Sequence, residues 1–558
     1  MMLPPSLVLI IAGLLLPVLP LRGRQALMLA APVLTLVLVG LVPDGPGLSL
    51  PFLGHDLVLV EGGRLGRLFG VVFSIMAFGG ALYALNRTNV TELMAAFCYG
   101  GSAIGVTFAG DLITVFIFWE LMAIGSTVVV WSGGSGARAA GLRYAAVHLL
   151  GGVLLMAGIA GHVAATGSTA FTAMHTDSLA HWLIIAGFLV NAAAPPVSAW
   201  LPDSYPASSY SGTVFLSAFT TKVAVYVLLR GFPGAEILVF AGLWMVFYGI
   251  IYGILENDIR RILSYSLVNQ VGFMVTAIGI GTPMALNGAA AHAFTHIIYK
   301  ALLLMSAGSV MTMTGKRKCS ELGGLFRFMP VTAVTGIIGG LSISAVPLTS
   351  GFVSKAMIGE GAAQAHMPVV WLLVTAAAVG VFIDIGLKWP WYIFFNRDSG
   401  LRPKDPPLAM QAAMVLFATL CVGIGLFPQT LYGLLPFPVD YQPYTVDHVT
   451  TMVQLLMFGG LAFVVVLPVL TRKPTITLDW DWFWRCLGPQ LAGAAYPLAQ
   501  KVRQRFIDRG RRAVARGLAT VFRHHGPAGI LARTWPTGSM AFWATLLLAA
   551  YLFLYYIL

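Results

Sequence analysis

Four ionisable residues lie within apolar stretches that are each long enough to cross a bilayer. They are Glu120 in DLITVFIFWELMAIG, Lys222 in LSAFTTKVAVYVLLR, Lys300 in HAFTHIIYKALLLM and Lys355 in PLTSGFVSKAMIG. A charged side chain at the centre of a helix in hydrocarbon costs roughly 2.5–3.5 kcal/mol on insertion scales, so such residues usually mark a functional site. They predict a path for protons or another ion, although Glu120 could be a structural acid and Lys222 could reach the membrane surface.

Two histidines share a helix face with Lys300. His292, His296 and Lys300 are spaced four residues apart, and a helix turns by about 400° over four residues. Because histidine titrates near neutral pH, such a row is suited to relaying protons. Two histidines at this spacing can also bind a metal. No H-E-x-x-H arrangement and no third ligand lies nearby in the sequence, so we predict no metal.

The composition predicts an all-α polytopic membrane protein. Of 558 residues, 58% are hydrophobic and only 10% are charged, whereas soluble domains average about 25% charged residues. Apolar runs of about 20 residues recur along the chain and predict about 14 to 16 transmembrane helices. The alternating ten-residue segments of a β-barrel do not dominate. The net charge of +12 lies in loops and one tail, which indicates lipid contact and orientation and not nucleic-acid binding.

No cofactor is predicted. The four cysteines are scattered without a Cys-x-x-Cys pair, which argues against a cluster, a structural zinc site or a disulfide framework. Neither a phosphate-binding loop motif nor a dinucleotide fingerprint occurs in the sequence. The N-terminal apolar run precedes Arg22 and Arg24, so we expect an uncleaved first span with the N-terminus outside and these arginines in the cytoplasm.

Two of the predicted spans are discontinuous. The first contains Pro195, Pro196 and Pro202, and the second contains Pro347 and Gly351. Proline removes an intrahelical hydrogen-bond donor, and such breaks persist at membrane depth only where protein or a water-filled cavity satisfies the freed carbonyls. Either break alone could be a simple kink. Together with the buried charges, the pair favours inverted repeats around an ion path.

Two further charged segments are predicted to lie outside this path. Asp384 and Lys388, four residues apart near the end of a span, predict a local ion pair. Residues 485–535 form a basic amphipathic pattern that predicts a helix along the cytoplasmic membrane surface. Its basic residues include Lys501, Arg503, Arg505, Arg509, Arg511, Arg512, Arg516, Arg523 and Arg533. A last span then returns the C-terminus to the outside.

Several motifs together resemble the antiporter-like subunit family. They are FIFWELM, WLPDSYPASS, TTKVAVYVLLR, DIRRILSYSLVNQVGF, HAFTHIIYKALLLMSAGSV and PLTSGFVSK. That family includes the A-type and D-type subunits of Mrp-type multisubunit Na+/H+ antiporters and the proton-pumping membrane subunits of complex I and membrane-bound hydrogenases. The resemblance covers residues 90–400 and is strongest to the D-type branch of the Mrp subunits. It implies two inverted five-helix repeats, a hydrated central axis and partner subunits.

The resemblance also implies a proton path and one departure from it. Its members are Glu120, Lys222, His292, His296, Lys300 and Lys355. In the family, the glutamate is partnered by a lysine upstream of the WLPD motif, and here this position is Asn191. Asparagine neither titrates nor forms an ion pair. Another cation could fill the gap, Lys222 could substitute, or this subunit could conduct differently from its relatives.

These observations divide the chain into six segments and predict its function. The segments are N-terminal helices 1–88, a first repeat 89–256, a second repeat 257–398, C-terminal helices 399–484, the surface helix 485–535 and a last span 536–558. We expect a proton- or cation-translocating subunit of an Mrp-type complex in a bacterial cytoplasmic membrane, without a redox or hydrolytic site of its own. Its expected partners are other subunits, protons, Na+ or another monovalent cation, and lipid. The alternatives are an ion-pumping subunit of a complex I-like or hydrogenase-like assembly, a structural paralogue, or a subunit for inorganic-carbon uptake.

Overall fold

A computed structural model of the protein describes residues 3–52, 54–134, 136–470, 479, 482–526, 529–532 and 536–557. The chain forms two compact units, Met1–Asp481 and Trp482–Leu558. Within the described residues, 12 helices are long and apolar enough to cross a membrane, and three shorter apolar helices accompany them. The predicted polytopic helical membrane fold is therefore confirmed, whereas the two inverted repeats stay a prediction.

The larger unit begins with helices and one β-hairpin. Its first elements are α1 (Pro5–Leu15), α2 (Leu21–Leu41), β1 (Gly45–Phe52), β2 (His55–Gly62), α3 (Arg64–Tyr83) and α4 (Val90–Phe108). The two strands pair antiparallel, and this hairpin was not predicted from the sequence. Glycines and prolines at positions 45–47 and 51 disfavour a helix here, and the hairpin is held to the bundle: Glu61 pairs with Arg230 at 2.5 Å, and the Val58 amide donates to Asp111 at 2.7 Å.

The next helices lie within the segment 89–256 of the first predicted repeat. They are α5 (Leu112–Trp131), α6 (Ala137–Thr166), α7 (Leu179–Asn191), α8 (Trp200–Ser204), α9 (Tyr210–Ala218) and α10 (Thr220–Gly231). Residues 192–199 separate α7 from α8, and Pro195 and Pro196 lie in this break, whereas Pro202 lies within α8. A second interruption at Phe219, with φ −100° and ψ −68°, separates α9 from α10.

The remaining helices of the larger unit surround a fully buried centre. They are α11 (Ile237–Leu255), α12 (Ile259–Ile280), α13 (Pro283–Thr314), α14 (Pro330–Ile343), α15 (Ser350–Gln364), α16 (Pro368–Val381), α17 (Leu408–Leu426), α18 (Gln429–Tyr432) and α19 (Val446–Val466). Pro347 lies in the break between α14 and α15. Two π-helical segments, Phe382–Lys388 and Trp391–Phe395, continue α16. The most hydrophobic window of α12 is entirely buried, so α12 lies in the core of this unit.

The smaller unit consists of a long basic helix and an apolar helix. After the π-helical segment Phe483–Leu487 come α20 (Gly488–His525) and α21 (Thr537–Ile557). None of the described side chains of α20 is buried within the unit. Arg533, the last basic residue of the predicted surface segment, lies outside the described residues. The location of α20 at the cytoplasmic membrane surface stays a prediction.

A labelling experiment tests that location. With the four native cysteines replaced, Arg509→Cys on α20 is expected to react with a membrane-impermeant maleimide in inverted vesicles and not in intact cells, because basic segments are retained in the cytoplasm. Ser49→Cys, exposed on the hairpin, is the control and should show the opposite pattern. Labelling of Arg509→Cys from outside intact cells would reverse the predicted orientation.

Candidate functional site

The side chains of His292, His296 and Lys300 form a row on α13 inside the bundle. All three residues are 0% exposed, and the two imidazole ring centroids are 6.2 Å apart. The row lies between α12 and α15, which both contact α13. The predicted alignment of these residues on one helix face is therefore present in the structure, and that face points into protein and not toward lipid.

His292 is held between the neighbouring helices α12 and α15. Its Nε2 lies 3.1 Å from Gln270 Oε1 and its Nδ1 lies 3.0 Å from the Ser354 hydroxyl. Because an amide oxygen only accepts hydrogen bonds, Nε2 is the protonated nitrogen of the neutral ring and Nδ1 accepts from Ser354. Tyr299 donates to the same Gln270 oxygen at 3.1 Å. One hydrogen-bonded network thus joins the row to the residue that precedes Lys355.

His296 and Lys300 continue the row without fixed partners. Neither imidazole nitrogen of His296 has a hydrogen-bond partner among the described residues, and Lys300 Nζ has none there either. Buried polar atoms in proteins almost always have partners, and exceptions mark water, ions or functional sites. Lys300 lies within electrostatic range of Lys355 and Asp384, and Lys222 lies within range of Lys300. We refer to Lys222, Lys300 and Lys355, which are all buried, as the lysine array.

Lys355 binds the backbone at the second helix break. Its Nζ donates to the carbonyl of Ile343, the last residue of α14, at 2.6 Å and lies 4.9 Å from the ring centroid of Phe273. Gly351 makes this geometry possible: a Cβ at this position would come within 1.8 Å of the Ser342 carbonyl oxygen. The break thus supplies a freed carbonyl as the partner of a buried ammonium group.

Lys222 also donates to a backbone carbonyl at a helix interruption, and this interruption was not predicted from the sequence. Its Nζ donates to the Ser217 carbonyl at 2.6 Å and to the Thr221 hydroxyl at 3.1 Å. No proline or glycine marks the break at Phe219. Its cause is tertiary, because the Thr220 amide donates to the Tyr99 hydroxyl at 2.8 Å and not to a carbonyl of its own helix.

Glu120 and Asn191 contact adjacent residues of α6. A Cβ on Gly152 would lie 2.0 Å from Glu120 Oε1, and a Cβ on Gly151 would lie 3.6 Å from Asn191 Oδ1. Asn191 is fully buried, and both polar atoms of its amide and Glu120 Oε1 have no hydrogen-bond partner among the described residues. The structure therefore brings this acid close to the position where the resemblance implies a lysine.

A double-mutant cycle tests whether these two positions are coupled. We expect Glu120→Gln to lower transport, and Asn191→Lys to change the size of that loss because it places a cation beside the carboxylate. Residues in contact typically show interaction energies of about 0.5–3 kcal/mol. The transport rates of the two single mutants and the double mutant in everted vesicles give this energy. Full additivity would contradict coupling between positions 120 and 191.

Two arginines hydrogen-bond to residues of the connection that follows the first helix break. They were not identified from the sequence. Arg260 on α12 donates to the carbonyls of Tyr205, Ser208 and Ser209 at 3.2, 2.9 and 2.9 Å. Arg143 on α6 forms a bidentate pair with Asp203 of the WLPD motif, at 2.7 and 2.9 Å. These bonds satisfy backbone and carboxylate oxygens in the connection between α7 and α9. Their partners are 51 to 60 residues apart in the chain, which sequence spacing does not reveal.

The predicted ion pair of Asp384 and Lys388 is confirmed and is buried. Lys388 also donates to the Gly253 carbonyl at 2.6 Å. The pair lies in the π-helical continuation of α16, and Asp384 is within electrostatic range of Lys300. It therefore adjoins the lysine array, whereas the sequence spacing suggested a purely local role. Among the described residues, no group of three or more His, Cys, Asp or Glu side chains could hold a metal ion.

Comparison with known proteins finds one matching family and relatives that include antiporter subunits. Residues 109–380 match the family described as NADH:quinone oxidoreductase/Mrp antiporter, TM. A probable K(+)/H(+) antiporter subunit of the A/B type from Rhizobium meliloti (strain 1021) is 28% identical over 415 residues, which are 69% of this chain and 41% of that protein. The D-type Na(+)/H(+) antiporter subunit of Alkalihalophilus pseudofirmus is 31% identical over 272 residues, 45% of this chain and 55% of that protein. The chain thus spans about half the length of these two relatives.

A solved structure shares the fold over nearly the whole chain. A chain of the membrane-bound sulfane sulfur reductase, an archaeal respiratory membrane complex, superposes with a TM-score of 0.71 at 22% identity. The match covers 98% of this chain and 99% of the other. At this level of identity, the similarity establishes the fold alone.

Proposed function

Because residues 109–380 match the family described as NADH:quinone oxidoreductase/Mrp antiporter, TM, we propose that this chain translocates protons or another monovalent cation as one subunit of an Mrp-type Na+/H+ antiporter complex. The observation that carries the proposal is the array of Lys222, Lys300 and Lys355, which is buried in the bundle together with His292 and His296. Proton transfer needs titratable groups that are close together and not locked in ion pairs. This array meets both conditions.

In this proposal, the helix breaks provide the backbone carbonyls that bind two of the three lysines. Lys222 and Lys355 are each bound to a carbonyl freed at a break, whereas Lys300 between them has no described partner. At about 10 Å separation and an effective permittivity near 20, two like charges repel by about 1.7 kcal/mol. A charge that arrives at one lysine therefore acts on the next, which couples the steps of transfer along the array. The cation and the stoichiometry are set by the assembled complex.

The two segments 89–256 and 257–398 are proposed to be inverted repeats. Corresponding helices end in the same way: α6 ends at Thr166 before Gly167 (φ 71°), and α13 ends at Thr314 before Gly315 (φ 69°). In both, the threonine hydroxyl accepts from the amide two residues on. The breaks also correspond, because α7 and α14 are each followed two residues later by an alanine in the left-handed region, Ala193 and Ala345. Such strained conformations concentrate at functional sites.

Other subunits are proposed to cover the face beside Glu120. This residue lies on α5 between Ile117 and Ile124, which are 43% and 62% exposed. A carboxylate at the edge of an apolar, lipid-depth surface is costly unless a neighbouring protein completes its surroundings. We place the assembled complex in the bacterial cytoplasmic membrane, without a cofactor of its own in this chain.

Copurification combined with transport assays tests this function. The tagged chain, expressed with its native partners, is expected to copurify with small antiporter subunits, and Na+ or K+ added to everted vesicles is expected to dissipate a respiration-generated pH gradient. Lys355→Ala should abolish most of this response at unchanged amounts of complex. Wild-type transport in Lys355→Ala would overturn the proposed function.

The second candidate is an ion-pumping subunit of a redox-driven respiratory complex. The description of the matching family, NADH:quinone oxidoreductase/Mrp antiporter, names this class of complex as well and supports the alternative. Copurification of iron–sulfur subunits in place of small antiporter subunits would establish this alternative. A mainly structural subunit would assemble in either complex yet tolerate the loss of Lys355.

A further inference from the structure

His148 on α6 is a buried histidine that the array described above does not use. It is 1% exposed, and its Nδ1 lies 2.9 Å from the Tyr144 carbonyl oxygen. Because a carbonyl only accepts, Nδ1 carries the hydrogen and Nε2 of the neutral ring has a free lone pair. Among the described residues, Nε2 has no hydrogen-bond partner. His148 therefore presents a proton acceptor with a defined tautomer inside the bundle.

Two aromatic side chains fix the orientation of this ring. Tyr144 stacks on His148 with 3.8 Å between ring centroids, and Trp200 approaches edge-on at 4.6 Å. Trp200 is itself anchored, because its indole nitrogen donates to the Val190 carbonyl at 2.9 Å. The imidazole is thus held between α6 and α8, next to the end of α7.

One helix turn separates His148 from Glu120 and Asn191. Gly151 and Gly152, which contact these two side chains, follow His148 by three and four residues, and residues at these spacings are neighbours on a helix surface. All three side chains have buried polar atoms without a partner among the described residues, and Ser198 Oγ adds another. Polar atoms that share a region in this way provide the partners that buried water molecules need.

A chain of hydroxyl groups leads from the same place toward Lys222. The Tyr144 hydroxyl lies 3.4 Å from Thr220 Oγ1 and donates to Ser126 at 2.9 Å. Thr220 is followed by Thr221, whose hydroxyl accepts from Lys222 Nζ at 3.1 Å. Tyr144 also stacks on His148, so this series of hydroxyl groups begins at a residue in contact with the imidazole ring.

His148 also occupies the position that corresponds to His296. The last residues of α6 and α13, Thr166 and Thr314, are 148 residues apart in the sequence. The same separation relates His148 to His296. The contacts with the following helix support this correspondence. Gly158 of α6 contacts Ile184 of α7, and Ser306 of α13, which corresponds to Gly158, contacts Gly336 of α14. Both histidines thus lie at equivalent positions along corresponding helices, and both have a nitrogen without a described partner.

We infer that His148 is a proton carrier of the first repeat, which passes protons between Glu120 and Lys222 through water and so replaces the lysine absent at position 191. A proton from a water molecule on the Glu120 side binds the lone pair of Nε2, and the imidazolium releases it from Nε2 to the next water. The Nδ1–H bond to Tyr144 persists, and only O–H and N–H bonds form or break. The inference rests on the proposed function and extends it to the first repeat.

The test uses the complete complex in everted vesicles. His148→Gln retains side-chain polarity but no longer binds a proton, and it is expected to reduce transport at least tenfold at unchanged amounts of complex. His162→Gln is the matched control, because His162 lies on the same helix, is part-buried and pairs with His181 at 3.0 Å outside this region. It should leave transport unchanged. Wild-type transport in His148→Gln would overturn the inference.

Rescue separates proton transfer from a structural role. Adding Asn191→Lys to His148→Gln is expected to restore at least half of the lost rate, because it returns a titratable group to the same region. A structural defect at position 148 would not be repaired there, so failure of rescue would overturn the inference. Lys300→Ala and Lys355→Ala are measured in parallel: if they too retain transport, the proposed function fails, and if only His148→Gln retains it, the inference alone fails.

A second measurement does not depend on the assembly of the His148 variant. In a cysteine-free complex, Ser198→Cys is expected to make transport sensitive to silver ions, because a thiol in a hydrated passage reacts with a small cation in water. Ala224→Cys, at a position that is fully buried on α10, is the control for a dry interior site. Equal sensitivity of the two variants would overturn the hydrated passage in the first repeat.

Discussion

A complex that carries Lys300→Ala is expected to assemble and to retain less than about a tenth of its cation-dependent proton transport, which is an increase of about 1.4 kcal/mol or more in the activation free energy of the limiting step. Lys300 is fully buried and lies in electrostatic range of two other lysines and of Asp384. Its removal interrupts the array at the centre. Because Nζ has no described hydrogen-bond partner, alanine leaves no protein group unsatisfied, and only the cavity left by the removed methylene groups should lower stability.

Transport in everted vesicles and the amount of copurified complex check this prediction. Lys404→Ala, an exposed lysine before α17, is the matched control and should behave like the wild type. Lys355→Ala offers a useful contrast: it should also abolish transport, but it leaves the Ile343 carbonyl without its partner at 2.6 Å and should lower the melting temperature as well. Normal transport in the Lys300 variant would remove this residue from the path.

Gly351→Ala is expected to destabilise the protein by about 1–3 kcal/mol and to abolish transport. The new Cβ would meet the Ser342 backbone carbonyl oxygen at 1.8 Å. A Cβ is attached rigidly to the backbone, so the clash is relieved only if the break itself shifts. Such a shift moves the Ile343 carbonyl away from Lys355. Thermal unfolding of the purified complex and vesicle transport measure the two effects.

Gly359→Ala on the same helix controls for the change of residue type. Nothing lies within 4 Å of a Cβ at that position. Alanine is there expected to stabilise the helix by about 0.5–1 kcal/mol, because it lowers the entropy lost on folding. If both variants melt at the same temperature as the wild type, the close approach at Gly351 does not determine the geometry of the break.

The sequence predicted those features whose causes are local. Runs of apolar residues indicate membrane helices because only hydrogen-bonded helices tolerate hydrocarbon, and the prolines at 195, 196 and 347 mark the two breaks because proline has no amide hydrogen. The alignment of His292, His296 and Lys300 follows from helix geometry alone. These three inferences required no knowledge of neighbouring helices.

Features with tertiary causes were not predictable from the sequence. The break at Phe219 exists because Tyr99 from another helix accepts the Thr220 amide hydrogen. His148 lies in the segment RYAAVHLLGG, where a single histidine in an apolar stretch carries no signal, and its significance depends on contacts with α7 and α8. The hairpin was missed because its strands are held by Asp111 and Arg230, which are distant in the chain.

The attachment of the β-hairpin has a mechanical consequence. Arg230, which pairs with Glu61 of the hairpin, is in the last turn of α10, whereas Lys222 is in its first turn. This helix has 12 residues and is therefore about 18 Å long. A helix of this length is stiff along its axis, so a displacement of the hairpin is transmitted to the break at Phe219. Any neighbouring protein that pushes on the hairpin thereby applies force to the backbone that holds Lys222.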